Sequence, residues 1–183
     1  MRWWIASSIV TVWLAVVALA QSPWLQWENA PGAEAVQLKG WPEGSTIPRD
    51  RTSRYVLMFV HPQCPCTRTS LRLLEQAADL HKAVQWRVVA WRPRKSDWRP
   101  ETTLPVFMDE GGAETKRFGV TTSGHVLSLD SGAGVVLFSG GLTNVRGSSE
   151  AGMGFELLQA SLRAEPPTRA SSLTFGCSLV TPE

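Results

Sequence analysis

Hydrophobic and polar positions divide the chain into two kinds of sequence. Residues 3–20, WWIASSIVTVWLAVVALA, form an unbroken apolar stretch without a charge, preceded by Arg2. Its length lies at the lower edge of what crosses a bilayer as a helix. Trp3, Trp4, Trp24 and Trp27 flank it, and such rings favour the two membrane–water interfaces. Two expectations follow for residues 1–22. One is an uncleaved signal anchor, the preferred reading; the other is a signal peptide removed after Ala18-Leu19-Ala20. Both put the rest of the chain outside the cytoplasm (the periplasm, if bacterial), anchored in the first case and secreted in the second. Disulfide chemistry is permitted there.

Residues 23–53 change character. Proline, glycine and polar residues in NAPGAEA and WPEGSTIPRD mark turns and linker, with a weak strand signal at Val36–Leu38. A folded domain is expected over 54–165. RYVLMFV, residues 54–60, is a continuous β-rich apolar run and predicts a strand buried on both faces. In TRTSLRLLEQAADLHKA, Leu71, Leu74, Ala78 and His81 fall at helical spacing, with Leu73, Ala77 and Leu80 widening the stripe. VQWRVVAW, residues 84–91, predicts a second strand, so the three elements form a βαβ unit with parallel strands.

Farther on, LPVFMD (104–109) reads as a short strand and GAETKRFG (112–119) as a short helix. Apolar and polar residues then alternate around SGAG, predicting a hairpin with arms Val126–Asp130 and Val135–Ser139. GMGFELLQASLRAE gives a final helix, and residues 166–183 form a tail without strong periodicity that carries Cys177. The order implies an α/β domain with a mixed central sheet flanked by helices.

Composition narrows the function. With 183 residues, 43% of them hydrophobic and 19% charged, the chain builds one ordinary globular core plus appendages. A net charge of +2 argues against nucleic-acid binding, and RVVAWRPRKSDWR reads as a strand entering a solvated loop. The SGG and GMG glycines do not follow a nucleotide-binding strand pattern. Asp109 and Glu110 read as a solvated turn, and His81 as a structural residue late in its helix.

Candidate chemistry gathers in FVHPQCPCTR, where Pro65 alone separates Cys64 from Cys66. The pair follows the carboxyl end of the first buried strand and opens a helix, where sites collect in open α/β sheets. A thiol there feels the positive end of the helix dipole, which favours thiolate. Arg68 and Arg72 are further candidates to stabilise it, and Pro65 stiffens the loop. A bond between the two cysteines requires Cα atoms about 4.4–6.8 Å apart. At i, i+2 spacing this demands a bent chain and a strained, labile bond. Cys64, nearer the loop apex, is the preferred attacking thiol. Cys177 makes the cysteine count odd and leaves three pairings open; packed as a small hydrophobe is its bland alternative.

A strand, an aromatic residue, HPQCPC, a helix and a second strand together resemble the thioredoxin-like superfamily, particularly its membrane-anchored extracytoplasmic members. HPQCPCTRTS, TTSGHVLSLD and the terminal FGCSL are similar, more narrowly, to a small bacterial group of RedB-like proteins. The resemblance implies a thioredoxin-like fold over about residues 54–165 and thiol–disulfide exchange through Cys64 and Cys66, with protein thiols or disulfides as partners and no cofactor. It also implies that Pro65, Thr122, Ser123 and Gly124 meet the substrate. Two departures stand out: Cys-x-Cys is one residue shorter than the superfamily's spacing, and Gly124 occupies the place of a cis-proline that presents backbone to substrate and keeps metal from the thiols.

The alternative is a metal-binding module or metallochaperone for copper or zinc. His61, Cys64 and Cys66 make a soft donor set, with His125 or Cys177 as fourth ligand. A strand-end residue bonded to backbone is the plainer account of His61, and strand-start packing an equal account of His125.

Overall fold

The computed structural model describes residues 2–36, 38–62, 64–92, 97–163 and 170–179. The chain forms two compact units, Met1–Ala30 and Pro31–Glu183. The first unit is the helix α1, Arg2–Asn29, which continues past the apolar stretch and through Pro23. Its Ala6–Asn29 portion has a mean hydropathy of 1.6 and is long and apolar enough to cross a membrane. Polar interruptions are satisfied within the helix: the Ser8 hydroxyl donates to the Trp4 carbonyl at 2.9 Å and Thr11 to Ser7 at 3.0 Å. That suits an apolar surrounding, where no water is available as a partner.

Among the described residues the second unit has six strands: β1 Tyr55–Val60, β2 Gln85–Arg92, β3 Val106–Glu110, β4 His125–Leu129, β5 Val136–Gly140 and β6 Ala170–Ser171. Helices α2 Thr67–Leu80, α3 Ala113–Arg117 and α4 Met153–Arg163 complete it. The sheet order is β3-β2-β1-β4-β5-β6. β1, β2 and β3 run parallel, β4 is antiparallel to both β1 and β5, and β5 pairs in parallel with β6. The expected βαβ unit and hairpin are therefore the two halves of one mixed sheet, joined at β1 and β4.

The period-two rule divides β1 between two cores. Val56, Met58 and Val60 pack with Leu71, Leu74 and Ala77 of α2 and Leu158 and Leu162 of α4. Tyr55, Leu57 and Phe59 face the opposite side, with Phe118, Val120, Leu127 and Leu179. Because both faces are covered, the central strand reads as a continuous apolar run.

Several local readings change in three dimensions. Residues 31–53, expected to be linker, lie within the folded unit: Ile47 is buried, Trp41 packs edge-on against Tyr55 and Phe118, and Arg49 lies over the Trp41 ring. The weak strand at Val36–Leu38 is centred on Gln37, outside the described residues, as is the boundary expected at 165. Asp109 is not solvated. It is buried, and its carboxylate accepts the Glu114 N–H at 3.0 Å, the Thr115 N–H at 2.8 Å and the Thr115 hydroxyl at 2.7 Å. Those are the donors that the start of α3 would otherwise leave unpaired. Glu114, also buried, accepts the Ser45 and Thr46 hydroxyls and the Thr46 N–H, and pairs with Arg117. His81 caps the end of α2 and bonds to Gln159 of α4, consistent with a structural role.

Candidate functional site: a three-thiol cluster at the start of α2

The chain leaves buried β1 at His61 and must turn to begin α2 at Thr67. It does so with short backbone bonds: the Cys64 N–H donates to the His61 carbonyl at 3.2 Å, and the Thr67 N–H to the Cys64 carbonyl at 3.1 Å. Cys66 takes the capping position of α2 with no side-chain cap bond. Cys64 and Cys66 are both buried, Pro65 between them is exposed, and Cys177 is half-buried. All three cysteines are free thiols.

Cys177 reaches the pair through the tail. The Ser123 N–H donates to the Cys177 carbonyl at 2.8 Å, and the Leu179 N–H to the Thr121 carbonyl at 2.8 Å, making an antiparallel bridge between Thr122 and Ser178. Leu179 is buried in the second core, and Gly176 approaches so closely that a Cβ there would lie 1.9 Å from the Ser123 carbonyl oxygen. The tail residues with no periodicity thus form a strand-like partner to Thr121–Ser123.

Cys64 is the centre of the cluster. Burial raises its pKa, but the Cys177 N–H, the Cys177 thiol and the Thr67 and Ser123 hydroxyls all hydrogen-bond to it. Together they outweigh burial and leave it below the ordinary thiol value. The neighbours shift the other way. Burial and then the Cys64 charge raise Cys66, against a Gly147 N–H and the positive Arg146. Burial, then hydrogen bonding to Cys64 and its charge, push Cys177 up to about 12. Cys64 is thus shifted toward the thiolate and its two neighbours away from it.

Ser123 ties the elements together. Its hydroxyl accepts the His61 N–H at 3.0 Å and lies 3.2 Å from the Thr67 hydroxyl. Gly124 also has a physical reason for not being proline. Its φ is +89°, which a proline ring cannot adopt, and its N–H, which proline lacks, donates to the Phe59 carbonyl at 2.7 Å. Cys64 opens onto a cleft of about 370 Å³ whose walls include His61, Pro62, Pro65, Arg68, Leu71 and Trp98.

Expected residues separate into two groups. Cys64, Cys66 and Cys177 come together with Ser123 beside them, whereas the Thr122 hydroxyl turns to the Ala33 carbonyl and Gly124 bonds back to Phe59. His61 is buried and stacks on Trp91 at 4.6 Å, and burial lowers its pKa. His125 lies elsewhere: its Nδ1 bonds to the Thr174 hydroxyl at 2.8 Å and its Nε2 to the Ser139 hydroxyl at 3.0 Å. Among the described residues no group of three or more His, Cys, Asp or Glu side chains is arranged to hold a metal ion. Of the alternative metal set of His61, Cys64, Cys66 and His125, it is His125 whose two ring nitrogens are taken up by Thr174 and Ser139.

Arg68 and Arg72 do not serve the thiols as expected. Arg68 is exposed and pairs with Glu101 at 3.7 Å, and Arg72 is exposed. The cation acting on Cys66 and Cys177 is Arg146, which also donates to the Gly176 carbonyl. Sequence reading missed Arg146, Thr67 and Gly147. Only the hydroxyl at the first position of α2 carried a local signal.

No family model matches the chain, and no curated protein matches it. Among solved structures, it is similar to an uncharacterized conserved protein from Geobacillus kaustophilus, with a TM-score of 0.59 and 18% identity over 85% of this chain and 94% of that one. A hypothetical protein from Sinorhizobium meliloti gives a TM-score of 0.58 at 15% identity, covering 82% of this chain and 97% of that one. A secreted Mycobacterium tuberculosis disulfide oxidoreductase homologous to E. coli DsbE is also similar, with a TM-score of 0.41 and 20% identity over 58% of this chain and 78% of that one. Pro31–Glu183 shares its overall fold with the first two of these structures, a mixed sheet flanked by helices, with Cys64 and Cys66 at the turn between β1 and α2.

Proposed function

We propose that this chain is a thiol–disulfide redox protein, akin to the RedB-like group, in which Cys64 attacks the substrate. The observation that carries this reading is the position of Cys64: it sits in the turn from β1 to α2, beside the linked Thr67 and Ser123 hydroxyls and the Cys177 segment, and it lines a cleft. Those neighbours favour the nucleophilic thiolate in a buried position where a thiol would otherwise stay protonated. The adjoining cleft gives a protein disulfide access to that sulfur.

In the first step the Cys64 thiolate attacks one substrate sulfur. The substrate S–S bond breaks, a mixed disulfide forms, and one substrate thiolate leaves. A second protein thiol then resolves the mixed disulfide. Pro65, exposed beside Cys64, contacts the incoming substrate. Thr122, Ser123 and Gly124 act by shaping the thiol site, since the Thr122–Ser123 backbone is engaged by the tail. The α1 helix anchors the protein in a membrane with the folded unit outside the cytoplasm, a role its length and apolar character support.

The test is insulin-disulfide reduction by the full chain in detergent, driven by a small dithiol. Wild type should accelerate reduction, and Cys64→Ser should fall to the rate without protein. Equal rates for the two would overturn the proposal.

A further inference from the structure

Resting on that reading of Cys64, the arrangement of the tail answers a question the Cys-Pro-Cys motif leaves open, namely which thiol resolves the mixed disulfide. Cys66 is the neighbour in sequence, but it sits at the cap of α2 and its carbonyl is committed to the Ser70 N–H at 3.3 Å. A bond from Cys64 to Cys66 would close over a single proline, in a turn already fixed by the Cys64–His61 and Thr67–Cys64 backbone bonds.

Cys177 arrives on a separate segment held at many points. The Gly32 N–H donates to the Thr174 carbonyl at 2.8 Å, the Thr174 hydroxyl meets His125, and Arg146 holds the Gly176 carbonyl. The bonds through Cys177 and Leu179 continue the attachment to Thr121–Ser123. Ser123 links the two segments: its N–H holds the Cys177 carbonyl at 2.8 Å, while its hydroxyl accepts the His61 N–H at 3.0 Å and lies 3.2 Å from the Thr67 hydroxyl, so Cys177 is set beside the Cys64 turn. Cys177 is half-buried at this point, and a residue on a separate segment can bond to Cys64 without closing a tight ring.

We propose that Cys177 is the resolving cysteine and that the oxidised protein carries a Cys64–Cys177 disulfide. Once Cys64 holds one half of the substrate, the Cys177 sulfur attacks the Cys64 sulfur. The mixed disulfide breaks, the second substrate thiolate leaves, and it takes up the proton given up by Cys177. The first substrate thiolate takes its proton from solvent. The substrate disulfide has then gained two electrons and two protons, and the two protein sulfurs have lost two electrons. Cys66 stays reduced. A dithiol reductant restores the protein by the same exchange in reverse.

The experiment oxidises the reduced full chain with a stoichiometric peptide disulfide, blocks remaining thiols with an alkylating agent, and maps the linkage by non-reducing digestion and mass spectrometry. The expected product joins the Cys64 and Cys177 peptides and leaves Cys66 alkylated. A Cys64–Cys66 or Cys66–Cys177 product would overturn the assignment while leaving Cys64 as attacking thiol. No linkage, together with Cys64→Ser reducing insulin as fast as wild type, would remove the parent reading as well. As a second measure, Cys177→Ser should accumulate the mixed disulfide at least ~10-fold over wild type, whereas Cys66→Ser should not. Mapping the unaltered chain keeps the test decisive if either variant folds poorly.

Discussion

The Cys64 sulfur is approached from two sides that are built differently. On one side lie residues close in sequence, where the end of β1, the turn through Pro65 and the first residue of α2 fix one another by backbone bonds. On the other lies Thr174–Leu179, delivered from the far end of the chain and held by side chains and backbone from the hairpin, Arg146 and the segment before β4. The near side sets where the sulfur is. The far side helps lower its pKa, through the backbone N–H and thiol of Cys177. A strand-to-helix cysteine loop is thus only part of the site, and the thiolate depends on a tail whose sequence shows no element.

That contrast can be broken by loosening the tail while sparing the loop. The largest expected effect comes through His125, which burial holds down to about 4 from an ordinary 6.5. The unfolded chain protonates this histidine as pH falls below about 6.5, while the folded chain refuses the proton until about 4. Stability is therefore full above that window and lost across it, by about 3 kcal/mol. Urea midpoints at pH 7.5 and 4.5 should fall less in His125→Gln than in wild type. Parallel falls would remove His125 as the acid-sensitive anchor of Thr174.

A smaller and more selective effect is expected from Gly176→Ala, whose new methyl would press on the Ser123 carbonyl. Overpacking of this kind costs about 1–3 kcal/mol. It should lower the melting temperature, make Cys177 easier to alkylate, and raise the Cys64 pKa toward the free-thiol value. An unchanged Cys64 titration in a variant with a freely alkylated Cys177 would show that the loop side suffices by itself.

What could be read from the sequence follows the same division. Tyr55–Val60 was legible because a strand buried on both faces has no polar positions, and α2 because Leu71, Leu74 and Ala78 mark one stripe. The hairpin followed from alternation around SGAG, and observed strands His125–Leu129 and Val136–Gly140 lie within a residue of the expected arms. Asp109 misled because a carboxylate before two glycines looks alike whether it faces water or the N–H groups of a following helix. Residues 31–53 misled because proline and glycine mark turns without saying that the turns pack on a core. Arg146 and the placement of Cys177 depend on contacts between distant segments, and no local period encodes those. Gly124 lay between: its departure from proline was visible, but its reason, a positive φ and a needed N–H, was not.

The central claim is that Cys64, alone among the three cysteines, is the activated thiolate. Competitive alkylation of the reduced full chain across pH, with each cysteine quantified by mass spectrometry, tests it most directly. Cys64 should titrate below the ordinary thiol value of 9.0, Cys66 above it, and Cys177 near 12. A Cys64 that titrates at or above Cys66 would contradict the account.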